Sequence, residues 1–386
     1  MIRLLFISDF TEQFAYKLLK GIMDFSSETE PWTVWKMSPA TKRELGMRGV
    51  VEWAKKWKAD VVIGQFEPED DLSLLTGEGI VVFAQDYKQK FRNVPNITAD
   101  YIKTGKMAAR YYLEKGFKHF AFFGFKDHCW SYERHIGFHQ GITEADKDYD
   151  FSAFNAENID KIWFFESEKI LEWLRSLPKP LALFACDDNQ ASMLLEIARE
   201  AGFRVPDDIS ILGVDNDKVM CELISPSLSS VDIDIARGGY LTAMQAVKMI
   251  HDQEFTGPDI CLQPVGIVSR ASTSVFATTD VMVTKALDFI RDHADQHINV
   301  RSILAEVPIS RRLLEVRFKE VTGVTLYKYI SMRRIELFAD LLTSTKDTIN
   351  EIALKLDEPD VKSISRRFKA IKGCTPSEYR EQYLRK

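Results

Sequence analysis

Asp187 and Asp188 stand directly after the apolar run Leu181–Cys186, and Asp215 and Asn216 directly after Ile209–Val214. Trp130, Glu133 and Arg134 follow a third such run, His119–Phe125. Carboxylates, amides and a guanidinium offer paired acceptors and donors to adjacent hydroxyls, while an indole covers the apolar face of a sugar ring. By composition these residues make a polyol pocket. Asp and Asn at a strand-to-helix turn are also ordinary helix N-caps, so capping alone accounts for Asp188 just as well, and for Asp187, Asp215 and Arg134 less readily.

A second set of chemically loaded residues lies near the C-terminus. Arg317–Phe318–Lys319, Gly323, Thr325 and Tyr329 recur at an offset of 50 residues as Arg367–Phe368–Lys369, Gly373, Thr375 and Tyr379. Identities at one fixed offset imply two copies of one supersecondary unit. An amphipathic stretch precedes each copy, Ser302–Glu306 and Ile349–Leu356, which gives the helix-turn-helix plan twice. On each second helix, Leu314 and Phe318, or Ile364 and Phe368, form an apolar face that packs the unit together. Arg311, Arg312 and Glu315 in copy one, and Lys362, Ser363 and Arg366 in copy two, are then placed to reach base edges in a major groove. Arg317, Lys319, Arg367 and Lys369 suit phosphates, which fix register without reading sequence. The competing reading is that these charges solvate a helix face.

The elements that must hold these residues change character along the chain. Up to about residue 274, β-rich runs (Arg3–Ser8, Ala59–Gln65, Ile80–Gln85 and the three named above) alternate with amphipathic stretches such as Ile102–Lys115, Gln190–Ala201 and Ile235–Asp252. That is the pattern of an α/β, doubly wound parallel sheet, and its length calls for two similar lobes. Val275–Asp280 reads as a linker, and beyond it helical periods with Ser310 and Asp360 as N-caps and Gly323 and Gly373 as stops predict an all-α domain. The expected domains are therefore 1–274, a linker 275–281, and 282–386.

Charge supports the division. The net charge of -6 over 386 residues argues against a nucleic-acid binder, but residues 282–386 carry 20 Lys+Arg against 15 Asp+Glu, while residues 1–281 carry 31 against 42. A basic tail on an acidic body suits one domain that meets phosphates and another that does not. The five cysteines are scattered without a C-x-x-C, so buried free thiols are expected rather than disulfides or a zinc knuckle. The apolar start is too short for a secretory signal and no run of about 18 apolar residues follows, which predicts a cytoplasmic protein without a membrane partner. His135 and His139, and His293 and His297, have helical ligand spacing but no third ligand, so no metal site is expected. No phosphate-binding loop, dinucleotide fingerprint or nucleophile elbow occurs, so neither a catalytic residue nor a cofactor is assigned and the chain is not expected to be an enzyme.

Two resemblances sharpen this. The tail, with Ile352–Ala353, Arg367–Lys369 and Gly373–Arg380 (GCTPSEYR), resembles the AraC/XylS-type DNA-binding domain. That family sets two helix-turn-helix units, joined here by a long helix of about Leu326–Leu342, in successive major grooves. Where it usually has Gly-Phe after the position of Leu356, this chain has Asp357–Glu358–Pro359, acid expected to weaken attraction of the second unit to phosphate. Residues 1 to about 274 resemble the effector domain of LacI/GalR-type regulators and periplasmic sugar-binding proteins, through Asp100–Gly124, Val205–Asp215 (VPDDISILGVD) and Val268–Thr273 (VSRAST). The resemblance implies sugar contacts for Arg134, Asp187 and Asp215, with Phe10, Phe14, Phe66 and Asp86 as further first-lobe contacts. The order of the modules, with Trp130–Arg134 (W-x-x-E-R) and Asp215–Asn216, is similar to the xylose operon regulators. It implies a sugar-responsive activator of transcription with D-xylose as effector, operator DNA and RNA polymerase as partners, and a homodimer. The alternatives are response to a different sugar, or a sugar-binding or sugar-metabolising protein whose helical tail serves assembly.

Overall fold

The apolar runs become the central strands of two parallel sheets, and Leu4, Leu5, Phe6 and Ile7 are wholly buried, as strands covered on both faces require. The computed structural model describes every residue except 11–12, 146–147, 157–166, 253–255, 276–277, 279, 295, 297, 359 and 385–386; side chains 291, 336, 340, 343–344 and 382–384 are likewise outside the description. Parts of the expected linker, Pro359 and His297 thus lie outside the described residues. The first sheet contains β1 (Ile2–Ile7), β2 (Trp32–Met37), β3 (Val61–Gln65), β4 (Val81–Gln85), β5 (Asn96–Ala99) and β11 (Ile260–Leu262), in the order β11-β5-β4-β3-β1-β2. The second contains β6 (His119–Phe125), β7 (Asp150–Ala156), β8 (Leu181–Ala185), β9 (Ile209–Val214), β10 (Ser229–Ile233) and β12 (Pro264–Val268), in the order β12-β10-β9-β8-β6-β7. β12 runs antiparallel to β10. Each sheet reverses its winding once, between β1 and β3 and between β6 and β8, and at such a switch point strand ends open a crevice for ligands.

The chain divides into two compact units, one of Met1–Leu113 with Lys118–Ser274 and the other of Val275–Lys386 with Glu114–Phe117. Both sheets belong to the first unit. The second is helical in its described residues from Val281 onward. There the helix Leu326–Ser344 serves two cores. Its first half supplies Leu326, Tyr329 and Ile330 to a cluster with Leu314 and Phe318, and its second half supplies Ile335, Phe338 and Leu342 to a cluster with Ile352, Ile364 and Phe368. No helix among the described residues is long and apolar enough to cross a membrane.

β6 and β9 begin and end where the sequence puts them, but β2, β5, β7, β10, β11 and β12 were not expected from it. β2 and β7 are edge strands with exposed positions, and β5 and β10 bury Asn96, Thr98, Ser229 and Ser230. Hydrogen bonds replace apolarity there: the Asn96 amide donates to the carbonyl of Phe91, and the Ser229 hydroxyl to that of Arg270. Among the cysteines only Cys186 and Cys221 are buried; Cys261 is exposed, and Cys129 and Cys374 are half-buried, which corrects the expectation of buried thiols throughout. His135 and His139 lie against the Phe151 ring and His293 against Phe289.

Candidate functional site

The C-terminal ends of strands from both sheets converge on one cavity of about 760 Å³, open solvent at its mouth included. The first lobe lines it with Gln13, Phe14, Gln65, Gln85, Asp86 and Tyr87. Tyr101 comes from the crossover helix Tyr101–Glu114, and the second lobe adds Trp130, Arg134, Asp187, Asp188, Asn189, Asp215 and Asp217.

Arg134 is the centrepiece. It sits on the helix Cys129–Ala145, which lies backbone to backbone with the crossover helix: a Cβ on Gly105 would fall 2.3 Å from the Arg134 carbonyl, and one on Gly137 would fall 2.1 Å from that of Ile102. This approach places the guanidinium 5.1 Å from the Tyr101 ring centroid and 5.3 Å from that of Trp130, a cation held between two π faces. Arg134 donates to the Cys186 carbonyl and stands 3.4 Å from the Asp215 carboxylate. Its Nε is buried with no hydrogen-bond partner, and so are both amide atoms of Gln85 on the facing lobe. A buried polar group left unpaired costs about 1–3 kcal/mol, so these atoms favour a hydroxyl-bearing occupant.

Burial pushes three pocket carboxyls up. Asp188 rises to about 8, Asp86 to about 7 despite hydrogen bonds from Thr98 and Tyr101, and Asp187 to about 6 despite the Gln190 N–H. Around neutral pH the wall therefore mixes protonated and ionised carboxyls, donors as well as acceptors for a polyol. Capping falls on Asp187, whose carboxylate accepts from the Gln190 N–H at 2.7 Å. Asp188 sits in the first turn and accepts from the Asp217 N–H at 2.7 Å. The sequence had favoured Asp188 as the cap; the helix starts one residue earlier than that reading requires.

Trp130, Arg134, Asp187 and Asp215 line the same cavity, with Phe14 and Asp86. Glu133 and Asn216 are corrections, since neither lines the cavity. Glu133 turns to Lys90 at 3.7 Å, and the Asn216 side chain accepts from Arg270 at 2.8 Å. Phe66 is buried in the first-lobe core, and Phe10 packs on Phe6 and Tyr16. Gln13, Gln65, Gln85, Tyr87, Tyr101, Asn189 and Asp217 were not foreseen. The strand-end rule that picked out the second-lobe residues also points to Gln65 and Gln85, which end β3 and β4.

In the helical unit, Ser310 caps Arg311–Thr322 and Asp360 caps Val361–Lys372; both helices end on glycines with positive φ, Gly323 at 71° and Gly373 at 79°. The repeat extends to packing: Phe318 meets Tyr329, and Phe368 meets Tyr379, each edge-on at 5.3 Å. Arg311, Arg312, Lys319, Lys362, Arg366 and Lys369 are exposed, with Glu315 and Ser363 half-buried. Arg311 pairs with Glu315 at 2.9 Å. Two expected phosphate contacts are tied down elsewhere, Arg317 to Asp280 at 3.3 Å and Arg367 to Glu358 at 2.7 Å. Glu358 is no repulsive surface acid. It is buried between Arg367 and Arg334, the latter at 3.1 Å and itself 3% exposed, whereas Asp357 stays exposed with φ 52°, the left-handed region in which the AraC-type glycine is unstrained.

The periplasmic binding protein-like domain family matches residues 109–273, and a helix-turn-helix domain family matches residues 303–382. A xylose operon regulatory protein of Haemophilus influenzae is 30% identical over 331 residues, 83% of this chain and 84% of that one. The chain belongs to the xylose operon regulatory protein family. Its counterpart in Escherichia coli strain K12 is 29% identical over 349 residues, 88% of either chain. A solved xylose-binding transcription activator superposes with a TM-score of 0.65 at 26% identity, covering 98% of this chain and 97% of that one. As a xylose operon regulator, the chain is a DNA-binding regulator of transcription with a periplasmic-binding-protein-like domain before its helix-turn-helix domain.

Proposed function

We propose that residues 1–274 sense D-xylose in the cleft between the two lobes, and that residues 282–386, beyond a linker at 275–281, carry the response to operator DNA. The observation that carries the pocket reading is the set of buried, unpartnered polar atoms on residues that line it from different lobes, Arg134 Nε and the Gln85 amide. A pentose bridging them would favour one arrangement of the lobes, as any effector must to shift an equilibrium. Trp130 supplies an apolar face for the ring, and Asp187 and Asp215 the acceptors for adjacent hydroxyls. Relatives bearing the name xylose operon regulatory protein, and a solved relative described as xylose-binding, favour D-xylose over other pentoses. Arg312, Lys362 and Arg366 serve as base-reading candidates and Lys319 and Lys369 as phosphate contacts, with Arg317 and Arg367 steadying the helices that carry them. A homodimer that activates transcription through RNA polymerase in the cytoplasm completes the proposal, on the resemblance to AraC-type regulators.

Titration calorimetry of the full chain against D-xylose, D-ribose, L-arabinose and D-glucose tests the pocket. Asp187→Asn preserves the cap, because Asn caps as well as Asp, while removing the charge. D-xylose is expected to bind best, and Asp187→Asn to weaken it at least about tenfold. Unchanged affinity in the variant would place the sugar elsewhere.

A further inference from the structure

Lys17 lies on the first-lobe helix Gln13–Glu28, yet its ammonium donates to two second-lobe carbonyls, those of Asp215 and Asn216, the latter at 3.0 Å. A second-lobe carboxylate, Asp232, stands 3.8 Å away. Both carbonyls belong to residues with positive φ, 94° at Asp215 and 49° at Asn216, a conformation that side-chain-bearing residues adopt at a cost and keep only where surroundings impose it. The same turn is fixed from its own lobe as well. Arg270 holds the Asn216 side chain, the Ser230 hydroxyl accepts the Asn216 N–H at 2.9 Å, and Asp188 accepts the Asp217 N–H. Asp215 and Asp217 line the cavity, and Asp215 carries the carboxylate that faces Arg134.

We infer that Lys17 is a positioning residue for the effector: it holds the Asp215–Asn216 turn in its left-handed form from across the cleft, keeping the Asp215 carboxylate aimed at the pocket and making sugar affinity depend on lobe closure. The inference rests on the proposed sugar-sensing role of the cavity. Carbonyl oxygens of a left-handed pair point the same way, so one three-donor ammonium satisfies both, and no neutral side chain of similar length offers that charge-assisted pair. Because the donor and the turn belong to different lobes, moving the lobes apart by more than a hydrogen-bond length removes the Lys17 brace and leaves the turn to its own-lobe contacts with Arg270, Ser230 and Asp188.

The full chain is titrated with D-xylose as wild type, Lys17→Met and Lys17→Arg, and amide hydrogen exchange over residues 213–218 is followed without ligand. Lys17→Met is expected to weaken D-xylose about tenfold and to accelerate exchange at Asn216 and Asp217, while Lys17→Arg recovers most of both. A purely structural lysine would lower the unfolding temperature of Lys17→Met with affinity and local exchange unchanged, and that result overturns the inference. Should wild type take up no D-xylose at all, the D-xylose-sensing reading fails. The exchange arm still decides whether Lys17 holds the turn.

Discussion

Replacing Asp188 by asparagine isolates one charge in the pocket wall. The carboxyl is 3% exposed, and burial raises its pKa from 3.8 to about 8, against opposition from the Ser230 hydroxyl and the Asp217 N–H. A carboxyl held above its unfolded value contributes stability at low pH and loses it as pH rises through the folded pKa. Between about pH 6 and pH 9 the folded chain gives up nearly one proton that the unfolded chain has already lost, which integrates to about 3 kcal/mol. Asparagine keeps an acceptor for the Asp217 N–H but has no proton to lose, so the variant should match wild type only near and below about pH 4 and exceed it increasingly up to about pH 8, by about 3 kcal/mol more at pH 9 than at pH 6. Asp86 and Asp187 titrate in the same direction at about 7 and about 6 and remain in the variant, so its slope is shallower than wild type from about pH 4 upward and nearly flat above about pH 7. Urea unfolding followed by tryptophan fluorescence is the assay, because all seven tryptophans precede residue 174 and report on the first unit alone. Equal slopes in variant and wild type between pH 7 and 9 would refute the reasoning.

The remaining predictions concern both units. Gly213→Ala would set a Cβ 2.2 Å from Asp188 Oδ1 and 3.2 Å from its Cα; D-xylose affinity should fall about tenfold or more in calorimetry, and an unchanged value would mean that Asp188 moves without consequence. Glu358→Ala leaves Arg334 and Arg367 facing each other with Arg334 buried, a loss of about 3–5 kcal/mol confined to the second helix-turn-helix. Proteolysis should then cut between residues 345 and 386 while sugar binding is retained, whereas resistance equal to wild type would contradict a structural role for the triad. Arg312→Ala should cost about 1–3 kcal/mol on selected operator and little on random duplex in anisotropy titrations; equal losses would make Arg312 a phosphate contact.

What the sequence revealed depended on whether burial was achieved with apolar side chains. His119–Phe125 and Ile209–Val214 are legible because both faces of those strands are greasy, but Asn96–Ala99 and Ser229–Ile233 bury serine, threonine and asparagine through hydrogen bonds that composition does not announce. Asp187, Asp215 and Arg134 are legible as cavity residues because they follow the ends of second-lobe strands. Gln85 and Tyr101 escaped because their importance lies in what surrounds them: an amide without partners, and a ring brought over a guanidinium by two glycines. Glu358 was read with the wrong consequence for the same reason. An acid in a turn looks like surface charge until two arginines are seen to enclose it.

The central claim is that sugar in the first unit changes what the second does on DNA. Fluorescence anisotropy of the full chain on a duplex selected by the protein itself from a random library, with and without saturating D-xylose, measures that coupling directly. The account predicts a change in affinity of about 5- to 150-fold on the selected duplex, absent for a scrambled duplex and abolished by Asp187→Asn. Identical titration curves with and without D-xylose, from protein that calorimetry shows to bind the sugar, would contradict it.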